Sequence, residues 1–103
     1  MKNVLLLGRL GINIPNFSTG VTNKNINLFS GTNLEEVKSV FEQNEKIDMV
    51  IMGAGIDLQS RLDIIKFIFE NSKGTTVHMK DWNSGPAGML PFVNGVIDGL
   101  FKE

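Results

Sequence analysis

Apolar positions along this chain of 103 residues fall into two alternating rhythms, short unbroken runs and stripes at helical spacing. Val4 to Leu7 is an unbroken run ended by Gly8, the pattern of a strand covered on both faces. Asn25 to Phe29 instead alternates polar with apolar residues before Ser30 and Gly31, as on an edge strand. Leu34, Val37, Val40 and Phe41 then share one helix face, and Asn33 with Glu36 three residues later marks the start of that helix, which ends near Gln43. Ile47 to Met52 predicts a second buried strand. Gly53-Ala54-Gly55 breaks it, Asp57 stands where an N-cap belongs, and a helix follows from Leu58 to about Asn71. Thr75 to Lys80 predicts a last strand, with Thr75, Val77 and Met79 on one face and Thr76, His78 and Lys80 on the other. From Pro86 or Leu90 to Phe101, the residues Val93, Val96, Ile97, Leu100 and Phe101 recur at helical spacing. Between Arg9 and Asn25, Gly11, Pro15 and Gly20 among many Asn, Ser and Thr residues predict a long irregular connection.

Helices between successive strands imply parallel pairing through right-handed crossovers. The expected fold is α/β, a small flavodoxin-like open parallel sheet of about four strands in the order 2-1-3-4 with helices on both faces, forming a single domain over residues 1–103. In topology this resembles the receiver domains of two-component signalling. Such domains carry an aspartate at the end of the third strand, an acidic pair at the end of the first and a lysine on a fifth strand. Here the third strand ends Met52-Gly53, the first ends Gly8-Arg9, and four strands are counted. No phosphoacceptor role carries over to any residue.

Composition narrows the functional classes. With 42% hydrophobic and 20% charged residues the chain reads as one ordinary domain core. The absence of cysteine removes disulfides and thiolate chemistry, and with a single histidine no metal site is expected. No cofactor is expected either. Ten basic residues balance eleven acidic ones without forming a block, so neither nucleic acid nor an anionic membrane is an expected partner. The N-terminus has too few apolar residues before Gly8 for a secretory core or a membrane span, which makes the cytoplasm the default compartment.

Candidate chemistry gathers at the carboxyl ends of the strands, where open α/β sheets hold ligands. Gly53-Ala54-Gly55 partly matches a dinucleotide fingerprint, but Leu58 stands in place of its third glycine, and Asp57 fills the helix terminus that a phosphate would need. Arg61, one turn later, is placed either to pair with Asp57 or to bind a ligand. Ser84-Gly85-Pro86-Ala87-Gly88 opens the last helix without a carboxylate, beside Trp82 as a stacking wall. Lys80 and Asp81, with His78, form the one cluster of acid-base character. The Arg9 to Asn25 connection reads either as half of a pocket, with Arg9, Asn13, Asn16 and Ser18 facing Gly53, or as a cover for the sheet through Ile12, Ile14 and Phe17.

Two functions follow. The first is a non-catalytic interaction or regulatory module. On the helix Leu58 to Asn71, Leu58, Leu62, Ile65 and Phe69 lie within about 60° at 100° per residue and suffice to cover the sheet, leaving Ile64, Phe67 and Ile68 for a homodimer or another protein partner. Gly95 and Gly99 would add a smooth strip on the last helix for close approach. The second is a binder or enzyme for a small anionic or nucleotide-type ligand, using Arg9, Gly53, Gly55, Lys80, Asp81, Trp82 and Ser84. In that reading Lys80 supplies the charge.

Overall fold

The computed structural model describes residues 1–101, the Pro86 side chain excepted. Strands β1 (Lys2–Leu7), β2 (Ile26–Gly31), β3 (Met49–Met52) and β4 (Thr76–Met79) form one sheet in the order β2-β1-β3-β4. All neighbours run parallel, with Leu7 opposite both Gly31 and Met52, and Met52 opposite Met79. The expected α/β class and strand order are both present.

The unbroken apolar runs are unbroken because both faces of the central strands are covered. Leu5, Leu7, Val50 and Met52 point to one core, under helices α2 (Leu34–Gln43) and α3 (Leu58–Asn71). Val4, Leu6, Met49 and Ile51 point to the other, under a short helix α1 (Ile14–Ser18) and the long α4 (Met89–Leu100). Helix α1 was not expected. Asn13 caps it by accepting from the Asn16 N–H, Pro15 sits in its first turn, and Ile12, Ile14 and Phe17 pack on the second core. The connection from β1 therefore covers the sheet.

The starts of α2 and α3 follow their side chains. Asn33 accepts from the Glu36 N–H at 3.0 Å, and Asp57 accepts from the Ser60 N–H at 2.7 Å. The Glu36 carboxylate reaches back one residue further than a usual capping box, to the Thr32 N–H at 2.6 Å. Before α4 a turn of 3-10 helix spans Pro86–Gly88, and Pro91 lies in the first turn of α4, where a missing N–H costs nothing.

The buried face of α3 corrects the sequence expectation. Ile64 and Ile68 are fully buried beneath α3, and Phe67 is half-buried with its ring edge-on to Phe41 at 5.7 Å. They hold this chain's own core together and are not left for a partner. Leu58, Leu62 and Phe69 are exposed instead. The helix is rotated because Arg61 belongs to the buried face: a cation among Ile64 and Ile68 makes that face look interrupted on a helical wheel. On α4, a Cβ added at Gly95 or Gly99 would meet nothing within 4 Å, so these glycines serve no close approach within the chain.

Candidate functional site

The loops that leave β1, β3 and β4 converge at the carboxyl edge. Backbone hydrogen bonds carry the ladder past the strand ends: the Gly53 N–H donates to Leu7 O at 2.7 Å and the Lys80 N–H to Met52 O at 2.9 Å. Two glycines then permit close packing. A Cβ on Gly53 would stand 3.0 Å from the Leu7 carbonyl oxygen, and one on Gly55 would stand 2.8 Å from the Arg9 Cβ. A larger residue at Gly55 requires the loop after β1 to shift, and one at Gly53 requires the Leu7 carbonyl to give by a few tenths of an ångström.

Arg61 ties these loops together from beneath. Its side chain is buried, with Nε donating to Ile56 O at 2.9 Å and Nη2 donating to both Gly53 O and Lys80 O at 3.0 Å. The Trp82 ring lies over the guanidinium at 4.7 Å, and its indole N–H also reaches Ile56 O, at 3.3 Å. Burial lowers the Arg61 pKa, yet an arginine this far from neutrality stays charged. The carbonyl oxygens and the aromatic face offset its desolvation. The expected ion pair with Asp57 is not formed, because the Arg61 side chain turns inward and Asp57 caps the helix.

Lys80 is buried to 2% exposure. Its ammonium hydrogen-bonds Ser84 Oγ and lies 3.5 Å from Asp81 Oδ1. Gly88 makes room for it, since a Cβ there would stand 3.0 Å from Lys80 Cε. Asp81 accepts from the Ser84 hydroxyl at 2.6 Å and from the Ser84 N–H at 3.0 Å. These bonds, with the Lys80 charge, hold the Asp81 carboxyl below the usual range. Lysine, aspartate and serine thus satisfy one another and lock the loop between β4 and α4. The Ser84 oxygen accepts from the ammonium while its proton goes to a carboxylate, which is the geometry of a clasp rather than of a free nucleophile. His78 stands apart from the cluster, 3.0 Å from Thr76 Oγ1, with its pKa lowered by burial.

Above the clasp lies a crevice of about 530 Å³ at the switch point between β1 and β3. It is lined by apolar side chains, chiefly Leu10, Ile12, Phe17, Trp82 and Met89, and by the glycine loops. Of the residues expected to form a site, Arg9, Gly53, Gly55 and Trp82 line this crevice, whereas Lys80, Asp81 and Ser84 do not. Asn13 and Asn16 line a shallower depression beside Leu90, and Ser18 lines a third near β2. Among the described residues Arg9 is the sole ionisable group in the crevice lining, and it is exposed. Sequence reasoning missed the apolar walls given by Leu10 and Met89. Met89 stands four residues before Val93, a spacing that could have marked it as part of the buried face of α4.

Among the described residues no group of three or more His, Cys, Asp or Glu side chains could hold a metal ion. No helix among them is long and apolar enough to cross a membrane. Comparison of the chain with models of known protein families, with curated proteins and with solved structures returned no match.

Proposed function

We propose that the protein is a binding module for a small monoanionic ligand with an apolar body, such as an aliphatic or aromatic carboxylate, held in the crevice between β1 and β3. The carrying observation is the lining itself: among the described residues, apolar side chains and glycine backbone with one cation, Arg9. Ligand pockets of this size are typically apolar with a few polar groups that fix orientation. A single guanidinium suits a carboxylate, which it engages through two parallel hydrogen bonds. A nucleotide phosphate is disfavoured because Asp57 already occupies the α3 N-terminus.

The same lining argues for binding without catalysis. No side chain in it transfers protons near neutrality, and Lys80, Asp81 and Ser84 are engaged with one another in the clasp. The ligand then acts by stabilising one arrangement of the loops, which makes the module regulatory or a carrier. A thermal-shift panel of aliphatic and aromatic monocarboxylates tests this. Ligand at a hundredfold excess over Kd adds about 2.7 kcal/mol of stability, a clear rise in Tm. A panel without any rise, or an equal rise in Arg9→Ala, defeats the proposal.

A further inference from the structure

Leu58, Leu62 and Phe69 leave 59%, 51% and 61% of their surfaces in solvent, and Ile65 between them is half-buried. At 100° per residue the four lie within about 60° and form one stripe along α3. Helix α2 meets α3 on the Phe67 side, through Phe41, so the stripe occupies the opposite shoulder, toward β4. Strand β4 is an edge, paired among the described residues only with β3. Its Met79 stands opposite Met52, on the α3 side of the sheet, and is also exposed. An apolar helix shoulder beside an uncovered strand edge is a surface that proteins ordinarily hide.

We propose that this shoulder is the dimer interface, with α3 packing antiparallel against α3 of a second copy of the chain. The spacing carries the argument. Leu58, Leu62, Ile65 and Phe69 are separated by four, three and four residues, a series that reads the same in both directions. When a two-fold axis reverses the second helix, Leu58 meets the second copy's Phe69 and Leu62 meets its Ile65, so every apolar residue finds an apolar partner. A closed two-fold contact requires this kind of self-complementarity.

Charge agrees with the same register. In an antiparallel pair the same flank of each helix faces its counterpart, and the solvent flank of the stripe carries Gln59, Asp63, Lys66 and Glu70. Reversal sets Lys66 between the second copy's Gln59 and Asp63, opposite charges on both sides of the axis. Asp63 comes within one residue's rise of the second copy's Asp63 beside the axis, a like-charge approach that the two neighbouring Lys66 side chains and solvent offset. This dimer is independent of the ligand crevice, which lies at the carboxyl edge.

Sedimentation equilibrium of the full chain up to high micromolar concentration tests the proposal, with circular dichroism confirming that each variant is folded. The wild type is expected to dimerise, and Leu62→Lys, at an exposed position, to weaken self-association at least tenfold. Asp63→Lys is expected to weaken it as well, and adding Lys66→Asp to restore it. A monomeric wild type, a dimer indifferent to Leu62→Lys, or a charge exchange without recovery overturns the antiparallel α3 pair.

Discussion

The Arg61 Nη2 donates to the Lys80 carbonyl oxygen at 3.0 Å, joining the first turn of α3 to the end of β4 across nineteen residues of sequence. The same nitrogen holds Gly53 O, so one guanidinium fixes the exits of β3 and β4 together. Both walls of the crevice that Gly53 and Trp82 supply depend on that bond pattern.

Arg61→Ala removes a buried donor from three carbonyl oxygens, of which Ile56 O keeps the Trp82 indole and Gly53 O the Ile56 N–H, and takes the cation from beneath Trp82. The expected loss is about 2 to 4 kcal/mol of unfolding free energy, read as a lowered urea midpoint. Arg61→Lys recovers little of it, since one ammonium lacks the planar fork that reaches Ile56 O with Nε and the other two oxygens with Nη2. A Lys variant of full stability would show that the bonds contribute little.

Gly55→Val leaves the core intact but drives a side chain into Arg9, whose Cβ would lie 2.8 Å from the new one. The loop after β1 must shift, carrying Arg9 away from the crevice. Carboxylate binding should fall by an order of magnitude or more, roughly the value of one charge-assisted hydrogen bond, while far-ultraviolet circular dichroism stays unchanged. Retention of binding would remove Arg9 from the site.

Acid should weaken the fold in two stages. His78 has its folded pKa lowered by burial, so its contribution is complete above the ordinary value of 6.5 and is lost as pH falls through the lower folded value. Asp81, held down by its bonds to Ser84, and Asp57, held down by the Ser60 N–H, act the same way below 3.8. Unfolding free energy measured from pH 7 to pH 3 should therefore decline in both windows. His78→Gln should flatten the first decline and Asp81→Asn reduce the second.

Gly95→Ala should stabilise the protein by about 0.5 to 1 kcal/mol, because the glycine lies inside α4 and its added methyl meets nothing within 4 Å. Thermal melts measure this directly. Asn33→Ala should do the reverse at α2, costing about 1 kcal/mol through the lost cap on the Glu36 N–H.

Much of this molecule was legible in local pattern. The unbroken runs Val4 to Leu7 and Ile47 to Met52 announced central strands, Asn33 and Asp57 announced helix starts, and crossover handedness yielded the order 2-1-3-4. Each of these depends on neighbours in the chain, so one-dimensional periodicity contains them. Helix α1 escaped notice because five residues carry too little periodicity to stand out from a turn-rich segment.

The candidate site was legible only by address. The sequence alone determined that Arg9, Gly53 and Trp82 gather at the carboxyl edge, since strand ends converge there in any such sheet. Tertiary structure alone decided that α3 turns Arg61, Ile64 and Ile68 inward and leaves Leu58, Leu62 and Phe69 outside, and that Lys80 is a buried clasp instead of a ligand's counter-charge. The reason is hydrogen-bond satisfaction. A cation can be buried only where acceptors await it, and those of Arg61 come from loops eight and nineteen residues away along the chain. No wheel drawn on a single helix contains those atoms.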